Sequence, residues 1–407
     1  MSGKRAIKNA SWLTLGHVFG YIIPLLELPI LTRSLGVSGY GQIVLAQSFG
    51  LIFATFLEFG FNINAAKRVS IARDDSKKIK SIYSGVMTAK LMLSSCVAVF
   101  VFIFYFLFSS DGHLSRLMWI GVFLYSASFG FSPLWYFQGV ERVIFPMVVD
   151  IFCRLLGLLV LWMLVSKGGD VAMAFYVMIL FAALNVIIMN IAAIKAVGIC
   201  AVNFKEGIRE VRFGFHSFLY RSSSNILQIA SPALVGSVAG SYAAGLYAPA
   251  EKVVRAAVGV GIPILAVVLP WMSKKFHDDR ARALKVSWFL IGGFAFIGVL
   301  AALMIVFAGP QVLAIITGDG YKQSQELVLL FAWLVPMRLV AQAIAMSLLV
   351  PVSQEKFAGT SMIISCLITL LIGVVLIAHS GAVGMVWATL IGEFILLSLF
   401  FYKARRI

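Results

Sequence analysis

The sequence predicts an all-α polytopic membrane protein, with twelve transmembrane helices in two six-helix lobes related by a parallel repeat. Three observations predict it. Of 407 residues, 61% are hydrophobic and 12% charged, too few charged side chains to keep soluble domains dispersed. The apolar residues fall in runs of about 20, the length at which a helix crosses a hydrocarbon core of about 30 Å, without the short alternating segments of a membrane barrel. Two short motifs also recur in the same order in the second half of the chain.

The first span runs from about residue 10 to 32, behind Lys4, Arg5 and Lys8. Its apolar run is too long for a cleaved secretory signal and lacks an A-x-A site, so it reads as a retained span. A short joint follows, in which Gly36, Gly39 and Gly41 permit a tight turn and close helix approach before the second span, about 39 to 63. The third, about 82 to 108, lies behind a basic cluster from Lys67 to Lys80. The fourth and fifth, about 115 to 138 and 143 to 166, are joined by "QGVERV", and the sixth covers about 171 to 195. Residues 1–196 therefore form the first lobe, 197–212 a basic cytoplasmic linker, and 213–407 the second lobe. In the linker Ile199, Val202, Phe204, Ile208 and Val211 intersperse with Lys205, Arg209 and Arg212, which fits either a short amphipathic helix on the inner leaflet or a plain connection. Spans 7 to 12 fall at about 213 to 236, 244 to 272, 286 to 309, 323 to 350, 357 to 379 and 382 to 402.

Charge sets the orientation. With the N-terminus inside, 23 lysines and arginines flank the spans on the cytoplasmic side, and only Arg33, Arg116, Lys167 and Lys322 lie opposite; the positive-inside rule then puts both termini in the cytoplasm. A net charge of +16 would also suit nucleic acid, but the basic residues lie beside hydrophobic segments, where they meet anionic lipid, so no nucleic-acid partner is expected. Cys96, Cys153, Cys200 and Cys366 are far apart and the five histidines are dispersed, so no metal or cofactor is expected. Neither a P-loop nor a hydrolase motif is present, and no outer loop is long enough for a catalytic domain.

The repeat is read from two pairs. "YGQIVLA" from Tyr40 is matched 204 residues later by "AGLYAPA" from Ala244, and "QGVERV" by "VSQEKF", with Glu141 and Glu355 separated by 214. Six spans per unit is an even number, so both halves insert the same way, the design of two lobes rocking about a site between them.

Eleven charged residues fall inside spans: Lys90, Arg154, Arg221, Lys252, Arg255 and Arg338, with Glu27, Glu58, Asp150, Glu251 and Glu393. Each costs about 2.5–3.5 kcal/mol near a helix centre, so they should face a wet cavity or one another. Asp150 with Arg154 and Glu251 with Arg255 are i, i+4 pairs, suited to structure or to transport. Arg221, Asn225 and Gln228 form one stripe, and Arg338 with Gln342 repeats it; such stripes either bond helices together or line a water-filled path. Arg154, Arg221, Asn225, Gln228, Lys252, Arg255, Arg338 and Gln342 are the candidates for binding an anionic substrate. Glu27, Glu58, Asp150 and Glu251 are the candidates for ion coupling. Lys90 lies near enough to the inner interface to snorkel. Arg33, at the outer end of the first span, either meets helix-end carbonyls or lipid phosphate, or acts as a gate.

The segments "LPILTRSLGVSGYGQIVLAQSF", "LWYFQGVERV" and "VSQEKFAGTSMI" resemble the Wzx-type polysaccharide flippases of the multidrug/oligosaccharidyl-lipid/polysaccharide exporter superfamily. The similarity spans essentially the whole chain, and Arg33, Leu35, Gly36, Tyr40 and Gly41 are its most characteristic part. It implies a bacterial inner-membrane protein that moves an undecaprenyl-pyrophosphate-linked oligosaccharide, such as an O-antigen repeat unit, to the periplasmic leaflet. Alternating access driven by H+ or Na+, and a central cavity lined chiefly by spans 1, 2, 7 and 8, are implied with it. The implied partners are that lipid-linked oligosaccharide, membrane lipids, the coupling ion, and a polysaccharide polymerase and chain-length regulator. Sugar hydroxyls would match Asn225, Gln228, Gln342, Tyr21 or Tyr247. A drug or organic-cation antiporter of the same superfamily is the alternative. Its cavity should be dominated by acids and aromatics, whereas the second half carries four intramembrane cations.

Overall fold

The computed structural model describes residues 3–108, 114–165, 170–199 and 201–407, with side chains except at 3–15, 17–18, 21, 216, 219–225, 228, 262–263, 266–267 and 319. The described residues are helical, without strands. In chain order the helices are α1 (Gly3–Glu58), α2 (Phe61–Ile71), α3 (Ser76–Phe108), α4 (Arg116–Gly130), α5 (Leu134–Gly139), α6 (Ile144–Val165) and α7 (Val171–Val197). They continue with α8 (Phe204–Gly259), α9 (Gly261–Asp278), α10 (Arg280–Thr317), α11 (Lys322–Ala332), α12 (Leu334–Ile344) and α13 (Glu355–Ala404). Nine helical stretches among the described residues are long and apolar enough to cross a membrane.

Three stretches exceed one crossing. α1 and α8 have 56 residues each and α13 has 50; at 1.5 Å per residue, 56 residues would reach about 84 Å, against a core of about 30 Å. Each is broken by one glycine: Gly36 (φ 67°, ψ −177°), Gly240 (φ 86°, ψ 167°) and Gly381 (φ 57°, ψ −133°). An L side chain is strained in such a conformation, so these bends need glycine. Gly36 and Gly240 share nearly the same angles and lie 204 residues apart, the separation of the first motif pair.

The chain forms two compact units, Met1–Leu35 with Gln42–Asn225, and Gly36–Gly41 with Ile226–Ile407. In the first, Phe61, Ile79, Tyr83, Trp135, Tyr136 and Met189 lie in one buried cluster contributed by α2, α3, α5 and α7. The expected fourth span is split at Pro133 into α4 and α5, since proline has no N–H to continue the helix ladder. Lys90 fills that break. Its ammonium donates to the carbonyls of Gly130 (2.6 Å) and Ser132 (2.9 Å), and its side chain is buried. The expectation that Lys90 snorkels is therefore wrong: carbonyls freed at the end of α4 give the ammonium a better site than the interface. The linker is helical from Phe204 onward. Glu206 accepts from Ser81 at 2.9 Å, Arg68 pairs with the buried Glu210, and Asn64 donates to the carbonyl of Phe213 at 2.6 Å. Ile199, Val202, Phe204 and Ile208 remain exposed.

The second unit contains the closest helix approach. A Cβ added to Gly41 would lie 1.8 Å from the carbonyl oxygen of Ser241, and one added to Gly245 would lie 2.0 Å from that of Val37. Val37 and Ser241, like Gly41 and Gly245, are 204 residues apart, so one contact is made twice with the partners exchanged, as across a two-fold axis. Ser38 and Ser241 hydroxyls meet at 3.2 Å beside it. The expected eighth span breaks after Gly259. The tenth is divided at Trp333, and α12 then runs into a π-helical segment, Ala345–Leu349.

The second motif pair is confirmed in conformation, with its register corrected. Glu141 N–H donates to Gln138 O (3.1 Å) and Arg142 N–H to Phe137 O (2.9 Å); Ser353 N–H donates to Val350 O (3.0 Å) and Gln354 N–H to Leu349 O (2.9 Å). Glu141 and Ser353 have φ of 59° and 60°. The equivalent residues are thus 212 apart, and Glu141 matches Ser353 rather than Glu355.

Candidate functional site

Each unit holds a group of charged side chains within its long apolar helices. In the first, α6 carries Asp150 and Arg154 one turn apart, so both project from one helix face. Arg154 Nε meets Asp150 Oδ2 at 2.9 Å, and Asn185 of α7 donates to Asp150 Oδ1 at 2.8 Å. Glu27, on α1 between Pro24 and Pro29, lies within electrostatic reach of Arg154 and of the buried phenol of Tyr125. The carboxylate of Asp150 thus takes one charged and one neutral donor, which fixes its orientation and leaves Arg154 shared between two acids.

In the second unit Tyr247, Glu251 and Arg255 lie at i, i+4 and i+8 on the second part of α8. Arg255 Nη2 meets Glu251 Oε1 at 2.7 Å. On α12, Arg338 Nε meets Glu393 Oε1 of α13 at 2.8 Å, both side chains 11% exposed. The buried Tyr247 lies between the pairs: its phenol is within interaction range of Ser231, Glu251, Arg338 and Arg255. The side-chain carbonyl oxygen of Gln342, one turn beyond Arg338, is buried and accepts no hydrogen bond among the described residues. The π-helical segment begins three residues later, an irregularity common beside functional sites. Lys252 leaves this group and places its ammonium 5.4 Å from the centre of the Tyr40 ring, a cation–π contact.

Of the residues selected from the sequence, the fold therefore brings Glu27, Asp150 and Arg154 together, and separately Glu251, Arg255, Arg338 and Gln342. Glu58 ends α1 in the electrostatic neighbourhood of Lys90, apart from Glu27's group. Arg33 is exposed at the end of the first part of α1. The side chains of Arg221, Asn225, Gln228 and Tyr21 lie outside the described residues. Sequence reasoning missed Asn185 and Ser231 as site residues. It gave Glu393 no partner, and Arg338 is 55 positions away, beyond any helical periodicity.

What such groups can do follows from electrostatics. A guanidinium bound to a carboxylate at membrane depth is stable while paired, and either charge left alone there costs several kcal/mol. An anion bearing several oxygens can replace the carboxylate, provided that a proton or a cation neutralises the displaced acid. Among the described residues no group of three or more His, Cys, Asp or Glu side chains lies together.

Comparison with known proteins gives a consistent result. A family model described as polysaccharide biosynthesis protein matches residues 6–276. A Shigella dysenteriae protein named "Putative O-antigen transporter" is 25% identical over 98% of this chain and 99% of its own length. An Escherichia coli (strain K12) protein of the same name is 23% identical over 78% of this chain and 77% of its own. Among solved structures, the lipid II flippase MurJ in an inward closed conformation superposes with a TM-score of 0.76 at 13% identity, over 98% of this chain and 87% of that one. An inward-facing multidrug resistance MATE family transporter of the MOP superfamily gives 0.69 at 14% identity, over 94% of both chains. At such identities the structural matches speak for the fold.

Proposed function

We propose, from the premise that this chain belongs to the polysaccharide biosynthesis protein family, that it is a multi-pass membrane flippase for a lipid-linked oligosaccharide of the O-antigen class. The observation that carries this reading is the end-to-end likeness to the Shigella dysenteriae relative named "Putative O-antigen transporter", with a second relative of that name matched over 78% of this chain. It is a transporter rather than an enzyme. The nine long apolar stretches become twelve passages when α1, α8 and α13 are divided at Gly36, Gly240 and Gly381, six in each half of the repeat. The basic clusters support both termini lying in the cytoplasm, and the bacterial relatives support a location in the inner membrane. The polymerase and chain-length regulator that act on the same substrate are its expected partners.

The charged groups supply the chemistry. A polyprenyl-pyrophosphate headgroup presents several anionic oxygens, which suit the planar forks of Arg154, Arg255 and Arg338. Each fork is paired with Asp150, Glu251 or Glu393. A proton or Na+ taken up by the carboxylate releases the guanidinium to the pyrophosphate, and loss of that ion returns the pair and expels the substrate. Asn225, Gln228, Gln342 and Lys252 then serve the sugars and the remaining phosphate charge, with Arg221 as a further cation. Glu27 and Glu58 carry the coupling ion in the first half. Movement runs from the cytoplasmic to the periplasmic leaflet by alternating access.

The test is a deletion strain, in which inner-leaflet lipid-linked oligosaccharide should accumulate and surface polysaccharide should disappear. The wild-type gene should restore both. Arg255→Gln should lower restoration by about tenfold or more at unchanged protein level, the scale of a lost charge-assisted hydrogen bond of about 1.5–3 kcal/mol. Arg338→Gln should lower restoration per molecule by as much once its fall in protein level is divided out. Normal surface polysaccharide in the deletion strain would overturn the function. Full activity in both variants would overturn the arginine site alone.

A further inference from the structure

The end of α13 carries a feature that the transport reading does not use. An open-sided cavity of about 530 Å³ is walled by Phe394, Leu397, Phe401 and Tyr402 and ends at Arg405 and Arg406. Phe394 and Tyr402 are exposed, and Trp288 of α10 stacks on Phe401 with ring centres 6.3 Å apart and planes at 18°. The Arg406 guanidinium is held 4.2 Å from the centre of the Tyr402 ring. Among the described residues neither Arg405 nor Arg406 has a side-chain carboxylate partner, and residues 394–407 contain no Asp or Glu.

We propose that this surface binds one anionic glycerophospholipid, its phosphate at Arg405 and Arg406 and an acyl chain along Phe401, Leu397 and Phe394. The dimensions fit. From Phe394 to Arg405 the helix rises about 16 Å, close to one leaflet's half of a hydrocarbon core of about 30 Å. The order of chemistry fits as well: an apolar wall at leaflet depth, an aromatic level at Phe401, Tyr402 and Trp288, then two guanidinium groups where headgroups lie. Arginines also complement the negative end of a helix dipole, but that role needs neither a concave wall nor a ring that fixes one guanidinium. The site is separate from Glu393, which turns into the unit to meet Arg338.

The full-length purified protein, mixed with equal amounts of phosphatidylglycerol and phosphatidylcholine, can be examined by native mass spectrometry. Wild type should retain phosphatidylglycerol over phosphatidylcholine by about tenfold, the scale of two arginines acting on an anionic headgroup. The double variant Arg405→Gln, Arg406→Gln should lose that preference. Ser398→Trp should lower phosphatidylglycerol occupancy with both arginines intact, because Ser398 is an exposed lining residue and a larger side chain there fills the groove. Unchanged melting temperatures for these variants would exclude unfolding as the cause. Equal retention of the two lipids by wild type, or an undiminished preference in the double variant, would overturn the proposal. So would displacement of phosphatidylglycerol by an equal concentration of undecaprenyl phosphate, which would assign the groove to the transported lipid.

Discussion

Lys90 shows how much a single buried charge can organise. Its ammonium binds the carbonyls of Gly130 and Ser132 where Pro133 interrupts the helix ladder. Lys90→Met should leave those carbonyls unsatisfied, at about 1–3 kcal/mol each when buried, and a melt in detergent should record a clear loss of stability. The pair Arg338–Glu393 permits a sharper experiment. Either single change to glutamine strands a charge and should destabilise strongly, by about 3–5 kcal/mol for a buried pair. Changing both to leucine should restore most of the melting temperature while leaving transport lost, as a double-mutant cycle would reveal. At this scale the sequence was partly legible. The pairs Asp150–Arg154 and Glu251–Arg255 are visible because helical periodicity alone brings them together. Arg338–Glu393 and Asp150–Asn185 depend on how one helix packs against another, and Lys90's depth depends on a break at the end of the helix packed beside it, so no local pattern announces them.

Elements are governed here by backbone approach. Gly41→Ala would place a methyl group 1.8 Å from a carbonyl oxygen, a clash that only separation of the two segments relieves. Gly36→Ala meets no neighbour within 4 Å and should suffer only the conformational cost, about 1–3 kcal/mol. Gly41→Ala should therefore lower both melting temperature and surface polysaccharide the more severely. The start of α3 responds to acid instead. The carboxyl of Asp75 accepts the Lys78 N–H at 3.0 Å, and that bond holds it below its ordinary range. A carboxyl depressed in the folded state stabilises fully above its unfolded value, about 3.9, and this is lost as pH falls through the lower folded value. The melting-temperature difference between wild type and Asp75→Asn should accordingly narrow below about pH 4. Apolar run length located the long helices, because crossing a bilayer fixes it. The breaks at Val260 and Trp333, and the division of the fourth span into α4 and α5, were not anticipated from run length, since apolar composition continues through them.

Across the molecule, backbone conformations recur at a nearly constant separation in sequence. Two glycine bends 204 residues apart and two corner turns 212 apart repeat their conformations, although few side chains match between the halves. The first pair was legible because a close helix approach restricts residue type. The second was read two residues out of register because its likeness lies in backbone hydrogen bonds and not in side chains. The proposed ion coupling is tested at the level of the intact cell. If protons drive transport, a protonophore should cause lipid-linked oligosaccharide to accumulate within minutes while a sodium ionophore does not, and the reverse would assign Na+.

The π-helical segment Ala345–Leu349, closed by the Val350 N–H to Ala345 O bond at 2.9 Å, winds a surplus residue into its helix. Each residue of an ordinary helix advances the azimuth by about 100°. The wider π turn takes the surplus residue up locally, so a chain shortened by one residue there would regain ordinary winding and keep the corner at Leu349 to Gln354, and α13 beyond it, on nearly the same bearing. The 2.8 Å reach between Arg338 and Glu393 is thus insulated from the surplus residue.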